Sequence, residues 1–412
     1  MTTAAHQNPI VILGGGPAGM ASALALSTAG HEVVILERYG EARPAGNILN
    51  LWPPPIKALN EMGVDTEDLG APCHSTFRNA RGRVRADIRL PQAIIDEYGG
   101  GFIGMLRPQL YRRMLEALPA GVLRTNQQVT DISDRGDHVR LTLSDGSHLT
   151  TPLLIGADGI DSITRAHLWG AEPKREHRLQ IIGGFTFEDV PTAETGECTI
   201  AHSRTHQGSC TSIRHEGQDG FQWWVLGACD PDSPPPSDLR AAALRRARTD
   251  FGDPMTSLIE ATDDDHVQRW VIRDRKPLQR WSRGRITLAG DAAHATSPYA
   301  AYGAGMSICD GYFLGQILRD VDLGNTAAIS TALAHYDAVR IPHTTAQVES
   351  AYRLGQIFHH TPAVLRPVRD VLLDCTPFLQ KQVGERNPRE IVAQLEEMGD
   401  GIPPFGAQSH RQ

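Results

Sequence analysis

Three short segments carry residue types and spacings from which chemistry can be built. The first is Gly14-Gly15-Gly16-Pro17-Ala18-Gly19, in which Gly14, Gly16 and Gly19 follow an apolar run and open a run of small residues. Glycines at this spacing permit a tight turn between a strand and a helix. They also let backbone N–H groups approach a pyrophosphate at the positive end of that helix. Glu37 closes the next apolar run about 20 residues on, where a carboxylate accepts hydrogen bonds from a ribose. Its charge repels a 2′-phosphate, so NADP is disfavoured at this position. The second segment is Gly156-Ala157-Asp158-Gly159-Ile160-Asp161-Ser162-Ile163-Thr164-Arg165, and the third is Leu288-Ala289-Gly290-Asp291-Ala292-Ala293-His294. Asp158-Gly159 alone fits an ordinary turn equally well, and Asp291 alone fits a surface helix cap. The information lies in all three segments occurring in this order. A second glycine fingerprint is absent, so one tightly held nucleotide is expected.

The elements that must position these residues follow from hydrophobic periodicity. Residues 9–13 and 33–36 read as buried strands flanking a helix over 20–29, a βαβ unit. Residues 107–118 form an amphipathic helix pattern. Strands at 139–143 and 148–149 flank an Asp145-Gly146 turn. A buried strand at 153–155 leads into the Asp158 segment, and another at 285–289 into the Asp291 segment. Between them, strand patterns at 183–187, 209–214 and 222–226, a Pro-rich loop at 230–236 and a helix at 238–249 suggest a second, antiparallel-sheet domain, joined by a strand at 85–90. Residues 304–318 and most of the chain to about 394 read as helix.

The expected fold is therefore α/β: a Rossmann-like domain (1–75, 101–182 and 275–345), an inserted antiparallel-sheet domain (76–100 and 183–274), and a helical C-terminal segment with a tail (346–412). The 412 residues include 40 glycines, and the formal net charge is -8. That balance argues against a nucleic-acid surface. The six cysteines show no CxxC pairing, which argues against a thiolate metal site and for a reducing, cytoplasmic setting. No secretory signal and no bilayer-spanning run is visible, and no metal is expected.

The three segments together resemble those of the FAD-dependent aromatic hydroxylases, the single-component flavoprotein monooxygenases related to p-hydroxybenzoate and salicylate hydroxylases. Leu106-Arg107-Pro108-Gln109-Leu110 and residues 336–340 are similar to further family stretches. The resemblance implies FAD as cofactor, with NADPH or NADH as transient reductant. It implies hydroxylation of an aromatic, phenolic substrate by O2 through a flavin C4a-hydroperoxide. Gly14, Gly16 and Gly19 would contact the pyrophosphate, Glu37 the ribose, and Arg38 the adenosine portion. Arg107 would reach the ribityl or pyrophosphate region, Asp158 would act indirectly, and Asp291 would bind the ribitol. Gly303, Ala304 and Gly305 would offer the flavin O2 edge a helix N-terminus, where negative charge is stabilised. Pro298 would face the reacting centre through its backbone carbonyl.

Tyr299, Tyr302, Gln222 and Trp224 are the substrate-contact candidates. Strand alternation leaves open whether Gln222 and Trp224 or Trp223 and Val225 face the flavin. Arg204 and Arg214 fit solvated sheet edges better than a carboxylate-binding role. Many relatives have Gly-Gln-Gly where this chain has Ala301-Tyr302-Gly303, and some carry arginines near Asn47 and Leu49. A flavin epoxidase or Baeyer–Villiger-type oxygenase on the same scaffold, and a non-catalytic flavin-binding redox module, are the alternatives. A packed or capping role is expected for His294.

Overall fold

The computed structural model describes residues 8–41 and 48–399. Asn47 and the tail after Pro403 lie outside them. A parallel five-stranded sheet has the order Ile286–Leu288, Leu154–Gly156, Ile10–Leu13, Val33–Leu36 and Leu123–Arg124. Its inner strands are continuous apolar runs because helices and a small sheet cover both faces. Ile10, Ile12 and Ile35 are fully buried. The three chemistry-bearing segments leave the carboxyl ends of the three adjacent strands Ile286–Leu288, Leu154–Gly156 and Ile10–Leu13. Open α/β sheets place their ligand crevice at that edge.

A small antiparallel sheet of Val129–Asp134, Val139–Leu143 and His148–Thr151 packs beside it, with the Asp145-Gly146 turn where expected. The large sheet runs Gln268–Asp274, Arg175–Thr186, Gln218–Ala228, His206–His215, Glu197–His202, His74–Asn79, Val84–Ile88. It is antiparallel except where Glu197–His202 runs parallel to His74–Asn79 and where Ile103–Leu106 meets Arg214. The reason is chain order: His74–Asn79 and Ile103–Leu106 come from earlier segments, so no hairpin constrains their direction.

Several expected boundaries shift. The strand expected from 183 begins at Arg175, because His177 and Arg175 pair with the buried Asp274 and so make a polar stretch compatible with burial. His74, on the other side of the expected 75/76 break, already pairs in the large sheet. The division at 345/346 falls inside a single helix, Thr326–His359. The first helix starts at Pro17, not Met20, since proline suits the first helical turn.

The large sheet has two buried faces. Phe221, Trp223 and Val225 pack against Ala242, Ala243, Leu258 and Ile259 of two covering helices. Gln222, Trp224 and Leu226 face the other way, where Trp224 shares a cluster with Tyr299. This resolves the alternation: Trp223 fills the helix-covered core, and Gln222 and Trp224 lie on the side of Tyr299.

Candidate functional site

The glycine turn divides its labour among three positions. A Cβ on Gly14, whose φ is +102°, would stand 2.4 Å from Ala157 O, and one on Gly19 would stand 1.9 Å from Gly14 O. Those two glycines are required by the packing of the turn itself. Gly16 differs: its φ is -79°, open to any residue, and its Cβ would meet nothing nearer than the Tyr111 hydroxyl at 3.7 Å. Space left beside a glycine that the fold does not need marks a close approach by something else. Glu37 is buried and braces the turn, accepting from Gly15 N at 2.7 Å and Tyr39 N at 2.9 Å. Arg38 is exposed and lies over the Tyr39 ring.

Asp158 is committed to its own loop. It accepts from Ser162 Oγ at 2.5 Å and from Thr164 N and Oγ1 at 3.1 and 3.2 Å, fixing the start of the Ile163–Trp169 helix. Burial raises its pKa against the pull of those bonds. From that helix Arg165, itself buried, donates to the carbonyls of Ala292 and Ala293 at 3.3 and 3.0 Å. The second and third segments are thereby tied together by one guanidinium.

The third segment turns at Gly290, where a Cβ would stand 2.6 Å from Ala18 Cβ and 3.0 Å from Ser307 Oγ. The turn is thus wedged between the Pro17–Thr28 and Gly303–Leu318 helices. Beneath it lies a buried ionic cluster. Asp310 accepts from Gly290 N at 2.8 Å and Arg340 Nε at 2.9 Å, and its Oδ2 is 2.6 Å from His294 Nε2. Burial would raise the Asp310 pKa, but His294 and Arg340 outweigh it and hold the carboxyl below its usual range. His294 is therefore a packed partner of Asp310, as its position in the segment suggests.

Asp291, by contrast, is exposed to solvent, although enough protein lies around its carboxyl to desolvate it in part. That burial raises its pKa, while His294 and Arg107 pull it down. The buried Tyr111 joins these groups: Arg107, Asp291 and Glu37 all act on its hydroxyl, whose pKa burial raises to about 12. Tyr111 stands one turn after Arg107 on one helix, a spacing that puts both on one face.

Two helices begin at this recess without a side-chain cap: Pro17–Thr28 after Gly16, and Gly303–Leu318 after Tyr302. Asp238, Asn325 and Ser162 cap three other helices, while those at Pro53–Glu61, Gln92–Tyr98, Arg107–Ala117, Met255–Glu260 and Arg366–Cys375 also start without a cap. Uncapped N–H groups and a positive helix end are suited to a ligand oxygen. The loop before the second helix is strained, with Ala301 in the left-handed region at φ +47°. Glycine would adopt that conformation at no steric cost, whereas Ala301 carries a Cβ into it. Trp52 Nε1 donates to Ala301 O at 3.2 Å, and Pro298 O accepts from Ala301 N at 2.8 Å.

The remaining candidates separate by environment. Tyr299 is half-buried and its hydroxyl bonds Nε2 of His359, whose Nδ1 is 3.1 Å from Thr205 O. Tyr302 is buried and gives its hydroxyl to Gln394 at 2.7 Å, on the C-terminal helix. Gln222 is fully buried and donates to Asn50 Oδ1 at 2.6 Å. Asn50, two residues before Trp52, is half-buried and was not anticipated. Arg214 pairs with Asp68 and Asp219, and Arg204 with Asp370. Among the described residues no His, Cys, Asp and Glu group is arranged for a metal ion, and no helix is long and apolar enough to cross a membrane.

A family model described as an FAD binding domain matches residues 7–351. The chain belongs to the FAD-dependent aromatic hydroxylases. It is 30% identical to the 3-hydroxybenzoate 6-hydroxylase of Klebsiella oxytoca, over 88% of this chain and 91% of that protein. It is 31% identical to the 6-hydroxynicotinate 3-monooxygenase of Bordetella bronchiseptica, over 77% and 85%. Klebsiella pneumoniae HpxO complexed with FAD and uric acid shares the fold, with TM-score 0.79 at 24% identity, covering 96% of this chain and 97% of that one. This hydroxylase is therefore a flavoprotein monooxygenase with FAD as cofactor.

Two outcomes follow here. Asp291→Ala is expected to weaken FAD binding roughly 10-fold or more, about 1.4 kcal/mol, read by flavin fluorescence on titration of apoprotein; unchanged affinity removes Asp291 from the site. The second concerns pH. Burial pushes His343 and His359 down to about 3. Both are neutral when folded and protonate near pH 6.5 when unfolded, so their stabilisation is complete above 6.5 and shrinks as pH falls towards 3. Urea unfolding at pH 5 should show a loss on the order of 2 kcal/mol per histidine relative to pH 7.5. A His343→Asn variant with an undiminished pH slope would refute that assignment.

Proposed function

We propose that this hydroxylase holds FAD with the pyrophosphate over Gly16 and the start of the Pro17–Thr28 helix, the ribose at Glu37, and the ribitol between Arg107 and Asp291. The flavin O2 edge then meets the uncapped N–H groups of Gly303, Ala304 and Gly305. The observation that carries this reading is the open space at Gly16, in a turn whose other glycines are needed for packing. Arg38 lies at the adenosine end. Asp158 acts indirectly, through the helix that carries Arg165 to the Asp291 turn.

We further propose that NADH or NADPH supplies two electrons and that one atom of O2 is transferred to an electron-rich, phenolic or heteroaromatic ring while the other leaves as water. Bound FAD supplies the redox chemistry and activation of O2; the chain supplies orientation and exclusion of water. Trp224 and Tyr299 form apolar walls for a flat ring on the sheet side, and Pro298 borders it from the loop. The uncapped N–H groups at the positive end of the Gly303–Leu318 helix would hold an anionic edge of the bound flavin. Tyr299 is held as a donor to neutral His359, so it stays protonated; burial raises its pKa well above the ordinary value. Gln222 acts through Asn50, orienting an amide at the junction of sheet and flavin loop.

The test loads purified protein with FAD and follows NADH and NADPH oxidation with 3-hydroxybenzoate, 6-hydroxynicotinate, urate and simple phenols, with product mass under labelled O2. A substrate that accelerates oxidation and gains one oxygen atom is the expected result. Flavin-loaded protein that oxidises neither nucleotide with any of them would point to a binding module. For a productive substrate, Gln222→Leu is expected to raise KM roughly 5- to 10-fold, about 1 kcal/mol for a misplaced hydrogen bond. FAD affinity should not change; an equal loss in the two would mean general unfolding instead.

A further inference from the structure

Trp224, Tyr299 and Asn50 are only half-buried, and the large sheet beneath them carries neutral polar groups. Antiparallel pairing sets Ser209 opposite Trp224 and Thr211 opposite Gln222, and residues so paired share a face. On the next strand Cys198 and Ile200 stand opposite Thr211 and Ser209 on that same face. Gln222 is fully buried and Ser209 is 1% exposed. Gln222 gives its Nε2 to Asn50, which leaves Oε1 as a buried acceptor with no donor. Ser209 Oγ is also buried without a hydrogen-bond partner, with only the Cys198 thiol beside it. The groups around them are spoken for. Thr211 donates to Cys198, and Trp224 to Gln207, whose amide meets Nε2 of His202. Nδ1 of His202, further along the face, is unpartnered too. Buried polar groups in folded proteins are nearly always paired, so orphans gathered on one face point to a partner that the chain itself does not supply.

The charges around the face narrow what that partner is. Among the described residues, the paired stretches 198–202, 207–211 and 222–226 hold no Lys, Arg, Asp or Glu. The guanidinium that acts on Tyr299 is that of Arg369, and it is engaged by Asp370 and by the carbonyls of Phe358 and Arg204. Arg175 is likewise held by Asp274 and Glu349. Resting on the placement of the ring between Trp224 and Tyr299 proposed above, we infer that the substrate is an uncharged aromatic. It presents an O–H or N–H to Gln222 Oε1 and a second polar atom to Ser209, and a carboxylate on the ring is disfavoured. An amide oxygen accepts and does not donate, so it needs a donor, and an ionised carboxylate has none. The carboxylate charge would also be buried against a face without a cation, which is strongly unfavourable.

The test compares matched pairs on FAD-loaded protein at pH 7.5: 3-hydroxybenzamide against 3-hydroxybenzoate, and 6-hydroxynicotinamide against 6-hydroxynicotinate. Binding is read from the perturbation of flavin absorbance. The amide of each pair is expected to bind at least about tenfold more tightly. Ser209→Ala and Gln222→Leu should each cut that ratio to about threefold or less by weakening the amide, through loss of one hydrogen bond. Ser209→Ala should not lower the melting temperature, because its hydroxyl holds nothing in the unliganded fold. An acid that binds as tightly as its amide overturns the proposal, as does a ratio that survives both substitutions. Trp224→Ala separates this outcome from the placement of the ring. It is expected to weaken both members of a pair about equally; unchanged affinities would remove the ring from this face and overturn the placement itself.

Discussion

Valine at position 16 is expected to lower FAD affinity roughly 100-fold or more, about 2.7 kcal/mol, while the apoprotein melts within about 2 °C of wild type. The two halves of this outcome have separate causes. Gly16 has extended backbone that a β-branched residue adopts freely, and its side-chain direction is empty of protein within 3.7 Å. A β-carbon there therefore meets the rest of the protein only at ordinary contact distance. On the proposed placement of FAD it does fill the space through which a phosphate oxygen would reach the N–H groups at the start of the Pro17–Thr28 helix. Gly19→Ala is the control, because its Cβ collides with Gly14 O and must lower the melting temperature. Flavin titration beside thermal unfolding of both apoproteins decides the matter. A Gly16→Val protein that retains stoichiometric FAD removes the pyrophosphate from this turn.

The second large effect is at Asp310. Asp310→Ala leaves Arg340 charged and fully buried with its carboxylate gone, and frees the Gly290 N–H. Breaking a buried pair by removing one partner costs roughly 3–5 kcal/mol. For a chain of this size that is a fall of about 3–6 °C in melting temperature. FAD affinity should fall too, since the Gly290 turn that presents Asp291 loses its anchor. Asp310→Asn keeps an acceptor but not the charge, so its loss should be intermediate. A stability change below about 1 kcal/mol in Asp310→Ala would show that the cluster does not hold the turn.

Much of the parallel sheet was legible because each strand is a short, purely apolar run closed by a turn, information contained in a few consecutive residues. The glycine spacing and Glu37 were legible for the same reason. What escaped depends on partners far along the chain. Glu197–His202 is a strand whose inward residues are Cys198, Ile200 and His202; a histidine and a cysteine on the buried side hide the alternation. Asp310 and Arg340 sit in helical stretches and reveal their pairing only when two helices pack. Asn50 acquires meaning only through Gln222, which the chain brings to it from the large sheet. Tyr111 is the exception, since its place one turn after Arg107 offered a local clue.

The Thr326–His359 helix touches both halves of the site. Near its middle Tyr336 donates to Leu288 O and Arg340 to Asp310; at its end His359 holds Tyr299. Between those stations lies Pro342, which contributes no N–H to the helical ladder. One ladder hydrogen bond is therefore missing between the station at Asp310 and the station at Tyr299, so these two anchorages, rather than the helix's own ladder alone, fix the direction of its second half.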